Sequence, residues 1–341
     1  MIIIGCDFHP STQTIAWVDT ETGEHQVRQL KHDGEAQGFY RSLHGQKVRV
    51  GMEATGYGRW FERLLAECGV ELWVADPAQV RAAATRKQKT DERDAELLLQ
   101  LLCDGRLGKM RVYMPTPAER DVRRLVLHRH RLVQMRTRVK NQVQAIALNE
   151  GLRKRGGLWS KAGLEQLLEL ELMPWAATAR EDLLGLLDGL NRHIVVLDRA
   201  VEREAEARPE VRRLRTQRGV GAVVGLMYVL TILDPGRFQS SRQVASYLGL
   251  IPSEHSSGKR RRLGAISKQG NAVLRGLLVE AAHVAVRYDT GWRRHYLRLA
   301  MKKNRAVAAV AIARKLAVRL WWMWKLGLDC GQMVESGSHA G

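Results

Sequence analysis

The chain has 341 residues, of which 55 are Lys or Arg and 36 are Asp or Glu, so its formal net charge is +19. A surplus of this size favours a polyanionic partner, and a hydrophobic share of 45% is typical of globular proteins, which excludes a disordered basic tail as the whole molecule. Four scattered cysteines with no Cys-x-x-Cys pair exclude a zinc knuckle and a disulfide framework.

The first hundred residues alternate strand-like and helix-like patterns. The predicted elements are a hairpin of residues 1–5 and 13–18, a strand at 47–52, a helix at 60–68 and a strand at 71–75. Strands that alternate with helices predict an α/β domain, to which we assign residues 1–115.

The middle of the chain is helical in pattern. Residues 119–155 carry 11 Lys or Arg against 3 Asp or Glu and have apolar side chains at helical spacing, which predicts a long basic amphipathic helix. A second helical stretch, residues 180–206, can pair with the first as an antiparallel arm. We assign residues 116–212 to a helical coiled-coil arm for dimerisation and nucleic-acid binding.

The third region, residues 213–330, is predicted to be mostly helical, so that the fold class is α/β plus all-α. Residues 293–325 contain ten Lys or Arg and no acid, which favours a nucleic-acid-binding surface. Gly219 and Gly221 resemble the phosphate-contacting turn of a helix-hairpin-helix, with a tight turn between packed helices as the equal alternative. We expect residues 331–341 to form a disordered tail.

Four acids stand where strands end or helices begin. Asp7 and Glu53 each follow an apolar strand, and Asp91 and Asp94 share one face at the start of a helix. Clustered carboxylates repel each other unless a cation joins them, and hard oxygen ligands suit Mg²⁺ or Mn²⁺. The alternative is structural, with Asp91 as a helix-start residue and Asp94 in a surface ion pair.

Several ordered motifs carry a resemblance to a known family over roughly residues 2–326. They are GCDFHPSTQTIAWVD, VGMEATGYGRWFERLL, ADPAQVRAAATRKQKTDERDAELL, GVGAVVG and FQSSRQVASYLGLIPSEHSSGKRRRLGAISKQGNAVLRGLL. In these segments the chain resembles the DEDD transposases of bacterial insertion sequences, the IS110 group and its IS1111 relatives.

The resemblance implies an N-terminal RuvC-like (RNase H-like) domain whose four acids match Asp7, Glu53, Asp91 and Asp94. It also implies a coiled-coil middle and a C-terminal transposase domain with a nucleophilic serine. Members of the family act as recombinases guided by a structured bridge RNA that pairs with donor and target DNA. They work as homodimers that assemble into a tetramer.

The nucleophile is assigned by the family motif E-H-S-[ST]-G-G-K. This chain has EHSSGK at residues 254–259, one glycine fewer, and the match places the nucleophile at Ser256. Ser257, Ser246 and Ser267 remain alternatives. From the residues alone, the segment also fits a polar turn, because Ser and Gly are common turn residues.

Basic residues around this motif are candidates for holding nucleic-acid phosphates. They are Lys259, Arg260, Arg261, Arg262, Lys268, Arg275, Lys302 and Lys303. The alternative is that these charges form solvated faces.

The chain's apolar segments favour a protein that stays in the cytoplasm. The apolar start reaches Asp7 after too few residues for a signal peptide, and Lys or Arg interrupts each stretch that approaches the roughly 18 residues of a membrane span. We therefore expect cytoplasmic localisation and no membrane partner.

The combined interpretation is a Mg²⁺-dependent, bridge-RNA-guided DNA recombinase, with Mn²⁺ as the other cation. Its catalytic residues are Asp7, Glu53, Asp91, Asp94 and Ser256. The alternatives are a RuvC-like nuclease or Holliday-junction resolvase that uses water in place of a serine, and a non-catalytic nucleic-acid-binding protein.

Overall fold

The structure, a computed structural model, describes residues 1–84, 88, 90–153, 157–254 and 262–335. The chain divides into two units, an N-terminal unit of Met1–Met114 and a C-terminal unit of Pro115–Gly341. The finer division at residues 115 and 212 stays a prediction.

The N-terminal unit is built on a five-stranded sheet with the order β3-β2-β1-β4-β5. Its elements are β1 (Ile2–Phe8), β2 (Thr12–Asp19), β3 (His25–Lys31), α1 (Glu35–Ser42), β4 (Val48–Glu53), α2 (Arg59–Glu67), β5 (Glu71–Ala75), α3 (Pro77–Ala83) and α4 (Asp91–Cys103), followed by a 3₁₀ turn at Leu107–Met110. Strands β1, β2 and β3 are antiparallel, whereas β4 and β5 run parallel to β1. The predicted hairpin, the two further strands and the helix at 60–68 are confirmed, as is the α/β class of this unit.

The sheet is covered by helices on both faces because side chains alternate along β1. Ile4 and Cys6 point to one face and pack in a core with Tyr40 of α1 and Phe61 of α2. Ile3 points to the other face, where Ala95 and Leu99 of α4 lie. Helix α4 is therefore the layer that covers the second face of β1.

Two glycines allow α4 to approach the sheet closely. A Cβ atom at Gly5 would stand 2.2 Å from the Ala95 carbonyl oxygen and 2.3 Å from the Leu99 nitrogen. A Cβ at Gly51 of β4 would stand 2.6 Å from a methyl carbon of Leu102. The backbone of α4 thus rests against β1 at Gly5, whereas at Gly51 the Leu102 side chain of α4 fills the space beside β4.

The C-terminal unit is mostly helical. Its helices are α5 (Pro117–Asn149), α6 (Lys161–Leu168), α7 (Pro174–Glu206), α8 (Pro209–Arg215), α9 (Ala222–Ile232), α10 (Ser241–Tyr247), α11 (Ala272–Tyr288), α12 (Thr290–Lys302), α13 (Arg305–Leu326) and α14 (Cys330–Glu335). A two-stranded hairpin, β6 (Pro252–Glu254) and β7 (Leu263–Ile266), lies between α10 and α11.

Helices α5 and α7 pack side by side in opposite directions. Val143, near the end of α5, packs with Leu183 near the start of α7, and Arg129 donates a hydrogen bond of 2.7 Å to Asp198 in the other half of the pair. Residues late in one helix thus meet residues early in the other, as in an antiparallel arm. The assignment of this arm as a coiled coil stays a prediction.

The rest of the C-terminal unit surrounds α9, whose residues from Val224 onward are buried. The turn before it depends on Gly219, which has φ +90° and whose Cβ would stand 2.4 Å from the Ala281 carbonyl oxygen of α11. This packing matches the tight-turn interpretation of the glycine pair. The sequence assigned residues 331–341 to a disordered tail, but 331–335 lie in α14, because Met333 is buried in the core.

Within the described part of the chain, no helix combines the length and the apolar character that crossing a membrane requires.

Replacing Gly5 with Ala tests the contact between β1 and α4. We expect the free energy of unfolding to fall by about 1–3 kcal/mol, because the new methyl group forces the backbones apart. Gly38→Ala in α1 is the matched control, since its Cβ meets nothing within 4 Å and an added methyl in a helix stabilises by about 0.5–1 kcal/mol. Denaturant unfolding measures both; equal stability of the two variants contradicts the prediction.

Candidate functional site

The ends of two neighbouring parallel strands position the first two acids. Cys6 of β1 is in register with Met52 of β4, so that Asp7 and Glu53, the next residues, stand side by side. Both lie two positions after the glycines that face α4, at Gly5 and Gly51. Because side chains alternate along a strand, Asp7 and Glu53 point to the same face of the sheet as those glycines.

Helix α4 brings the other two acids to this edge. Its start is capped by Thr90, whose hydroxyl accepts a hydrogen bond from the Arg93 amide at 3.3 Å. Asp91 lies one turn before Ala95, the residue that contacts Gly5. The helix therefore runs against the direction of β1 and places Asp91 near the carboxyl end of the strand, where Asp7 lies.

The structure brings Asp7, His9 and Asp91 together. The Nε2 atom of His9 lies 3.1 Å from Oδ2 of Asp7 and 3.5 Å from Oδ1 of Asp91. One ligand atom of each residue lies within 4.8 Å of the other two. Among the described residues, this group has the separation that a shared metal ion requires.

The site concentrates negative charge in a partly buried place. The Asp7 side chain is 19% exposed, whereas that of Asp91 is 53% exposed. Burial raises the pKa of the Asp7 carboxyl above its usual value, His9 opposes the rise, and the negative charges of Asp94 and Asp91 add to it. A cation at this position would relieve both the repulsion and the cost of burial.

Asp94 and Glu53 lie beside this group without being part of it. Asp94 is one turn after Asp91 and is close enough to act electrostatically on Asp7. Glu53 is the neighbour of Asp7 at the end of β4. The four acids predicted from the sequence thus lie at the same edge of the sheet, where His9 contacts both Asp7 and Asp91.

The donor set fits a divalent cation. Two carboxylates offer the hard oxygen ligands that Mg²⁺ and Mn²⁺ prefer, and the imidazole of His9 adds a nitrogen ligand that suits Mn²⁺ better than Mg²⁺. Sequence reasoning missed His9 as a ligand. The signal that could have found it is the i, i+2 spacing from Asp7, which places both residues on one face at a strand end.

The predicted serine motif is carried by the β6–β7 hairpin. Ser256, Ser257, Lys259, Arg260 and Arg261 lie outside the described residues. The two strands that flank them pair with Pro252 opposite Ile266 and Glu254 opposite Leu263.

Two of the alternative serines, Ser246 and Ser267, lie among the described residues. Ser246 is half-buried within α10. Ser267 follows β7, and its hydroxyl oxygen is buried with no hydrogen-bond partner among the described residues. A buried hydroxyl is not presented to a DNA strand.

The remaining basic candidates differ in their surroundings. Arg262, Lys268, Lys302 and Lys303 are exposed. Arg275 instead donates to the Gln269 carbonyl oxygen and, at 3.4 Å, to that of Leu248, so its guanidinium ties the loop before α11 to the end of α10. That role is structural in this arrangement.

Two family profiles match this chain. One, described as a transposase of the DEDD type named after IS110, matches residues 4–150, and the other, described as the transposase IS116/IS110/IS902 family, matches residues 211–298. The first match contains all four acids, and the second contains the β6–β7 hairpin.

Curated relatives resemble the chain over most of its length. A probable family 20 transposase of Pseudomonas aeruginosa is 31% identical over 93% of this chain and 95% of its own length. The transposase for insertion sequence element IS1111A of Coxiella burnetii is 29% identical over 80% of this chain and 76% of its own, and that for IS1328 of Yersinia enterocolitica is 28% identical over 80% and 82%. The two profiles match successive parts of the chain, and the curated relatives match most of its length. The protein therefore belongs to the IS110 family of insertion-sequence transposases.

Proposed function

We propose that this transposase is a bridge-RNA-guided, Mg²⁺-dependent DNA recombinase that cleaves and rejoins strands through a covalent phosphoserine at Ser256. It acts in the cytoplasm on donor and target DNA, as a homodimer that assembles into a tetramer. The N-terminal unit is the RuvC-like catalytic domain in this proposal, and the C-terminal unit carries the nucleophile.

The observation that carries the proposal is the convergence of Asp7, His9 and Asp91, with ligand atoms within 4.8 Å of one another. Asp94 and Glu53 lie at the same edge, so that four carboxylates are near one another. Their mutual repulsion disfavours the ionised form unless a cation binds among them. A divalent cation held there supplies electrostatic stabilisation of the charge that develops on a phosphodiester, with Mn²⁺ as an alternative to Mg²⁺.

The serine step conserves the energy of the phosphodiester bond. The Ser256 oxygen loses its proton and bonds to phosphorus, while the bond from phosphorus to the departing strand breaks and that strand's oxygen takes up a proton. Attack by the hydroxyl of a second strand reverses these changes and releases the serine. No ATP is needed, because each bond that breaks is replaced by one of the same kind.

The arm supports binding to a nucleic-acid backbone. Arg124, Arg131 and Arg138 of α5 are exposed and recur every seven residues, so they form a stripe with about 10.5 Å between neighbours. Such a stripe contacts phosphates without reading bases. Site selection would then depend on base pairing with the guide RNA.

The alternative function, a RuvC-like nuclease or Holliday-junction resolvase, rests on the same metal site but uses water as the nucleophile. It predicts cleavage that leaves free ends and no adduct. The two functions therefore differ in the role of Ser256.

Replacing Ser256 with Ala tests the nucleophile. We expect the covalent protein–DNA adduct to disappear, because Ala has no oxygen to bond to phosphorus. Ser257→Ala is the matched control and should keep the adduct at the wild-type level. Denaturing gels of the protein with labelled element-end DNA measure this; cleavage that persists in Ser256→Ala would favour the hydrolytic nuclease.

Replacing Asp7 with Asn tests the metal site. We expect strand cleavage to fall about 100-fold or more, since metal stabilisation of a transition state is worth several kcal/mol. The melting temperature should not fall, because the change removes a partly buried charge beside two other acids. The matched control is Asp33→Asn at an exposed turn, which should leave unchanged both strand cleavage and the heat of Mn²⁺ binding in a calorimetric titration. An Asp7→Asn variant that still cleaves DNA at the wild-type rate rules out this metal site.

The RNA partner is tested by purification. We expect a single structured RNA to copurify, and the triple change of Arg124, Arg131 and Arg138 to Ala should lower the slope of log affinity against log salt by about 0.7–0.9 per lost contact. Arg192→Ala on α7, where Arg192 pairs with Asp188 at 2.8 Å, should leave the slope unchanged. Purified protein free of any discrete RNA would speak against guidance.

A further inference from the structure

The end of the arm exposes a group of large apolar side chains. We name residues 168–175, which join α6 to α7, the arm tip. Leu168 is 55% exposed, Met173 is 78% exposed and Trp175 is 85% exposed. Exposed apolar groups of this size mark a contact surface, and Trp is the residue type most enriched among binding hot spots.

The arm tip is held rigidly. The Arg180 guanidinium is buried, and its Nη1 atom donates to the carbonyl oxygens of Leu167, Leu168 and Leu170 at 3.0, 3.1 and 3.3 Å. These bonds satisfy carbonyls at the end of α6 and fix them to α7. Trp175 is therefore presented on a preorganised platform, which lowers the entropy lost on binding.

The charge around the arm tip differs from that of the whole protein. Glu165, Glu169 and Glu171 are exposed, and none of them forms an ion pair with another described residue. Within a chain of net charge +19, this acidic and apolar surface disfavours a nucleic-acid partner. It favours a protein surface that is apolar and basic.

A surface of that kind exists on the globular part of the C-terminal unit, by which we mean helices α8 to α14 and the β6–β7 hairpin. A groove of about 700 Å³ runs between the β6–β7 hairpin and helices α10, α12 and α13. Its apolar lining includes Ile266, Leu299, Val307 and Val310. A groove of this size and character accepts a large side chain with its neighbours.

Cations stand along the groove, and no acid occurs among the described residues that line it. The cationic lining residues are Arg314 and Lys315, and His295 lies beside them with its pKa lowered by burial and by the charges of Lys315 and Arg298. Burial lowers the pKa of Lys315, and the nearby charge of Arg319 lowers it further. Carboxylates brought to this groove would offset that repulsion.

The arm tip does not occupy the groove of its own chain. Trp175 is 85% exposed, and α7 runs unbroken from it to Val201, which packs in the core of the globular part. The 26 residue steps from Trp175 to Val201 span about 39 Å of helix. If the tip enters such a groove, the groove therefore belongs to a second molecule.

We propose that the arm tip of one copy inserts Met173 and Trp175 into the groove of a second copy, with Glu169 and Glu171 facing Arg314 and Lys315. A reciprocal exchange makes the same contact twice and closes the pair. One tip alone buries less than the roughly 1,200 Å² of a stable interface, so a single contact is weak. When the first contact has formed, the second is intramolecular, and the two together bind more tightly than either alone.

Crosslinking between two differently labelled full-length chains tests the contact. Both carry Cys103→Ser and Cys330→Ser, because the other two cysteines are buried. One copy carries Met173→Cys and the other Val307→Cys, and a short bismaleimide joins them. We expect this pair to link at least about tenfold faster than the controls, because bound sites share a high effective concentration.

The control cysteines replace exposed apolar residues that lie outside the tip and the groove. Leu186→Cys lies on α7 outside the tip at 58% exposure, and Met301→Cys lies on α12 outside the groove lining at 86% exposure. Trp175→Ala should lower the rate of the tip–groove pair by roughly tenfold. Rates equal to those of the controls would overturn the proposal.

A charge exchange separates specific contact from general stickiness. Reversing Glu169 and Glu171 to Lys, or Arg314 and Lys315 to Glu, should slow linking by about two- to fivefold, and combining the two reversals should restore it. Absence of restoration contradicts the proposed pairing.

If a single-stranded oligonucleotide protects the Val307→Cys thiol while no tip–groove link forms, the groove binds nucleic acid and the proposal is wrong. None of these changes touches Asp7, Asp91 or Ser256, so failure here leaves the proposed recombinase function standing.

Discussion

The close contact between β1 and α4 is the constraint on which the acidic site depends. Gly5 admits the backbone of α4 to a distance that a single methyl group would forbid. Since Asp91 lies one turn from this contact along the helix and Asp7 lies two residues from it along the strand, one packing event sets the distance between the two carboxylates. A slip of the helix by one turn, about 5.4 Å, would remove Asp91 from the group.

The site has an electrostatic cost that the fold tolerates. Burial and the charges of Asp94 and Asp91 all disfavour an ionised Asp7, and only His9 opposes them among the causes that shift its pKa. Such an arrangement adds nothing to folding by itself, and perturbed carboxylates of this kind cluster at functional sites. The imidazole of His9 contacts both carboxylates and can share a cation with them, so a bound cation would relieve the repulsion among these acids.

The elements predicted well from the sequence are those with a buried face. Strand β5 and the β1–β2 hairpin have β-branched or apolar runs that burial demands, whereas β3 escaped prediction because six of its seven residues are exposed. The acids were found as strand-end and helix-start residues, but their convergence depends on packing at Gly5 that no local pattern encodes. The i, i+2 spacing of His9 from Asp7 is a local signal, but the contact of His9 with Asp91, a residue far along the chain, depends on the same packing.

The net charge of +19 conceals surfaces of opposite charge on the same protein. The exposed arginines of α5 form a basic stripe and helices α12 and α13 contain no acid, whereas the arm tip is acidic and apolar. Because a polyanion is repelled by the tip and attracted by the stripe along the same arm, our proposals assign nucleic acid to the length of the helix pair and protein to its end. The hydrogen bonds from Arg180 to three carbonyl oxygens therefore do more than satisfy the end of α6. They hold an exposed Trp in one place beside acidic side chains, an arrangement that favours a protein contact over a nucleic-acid contact.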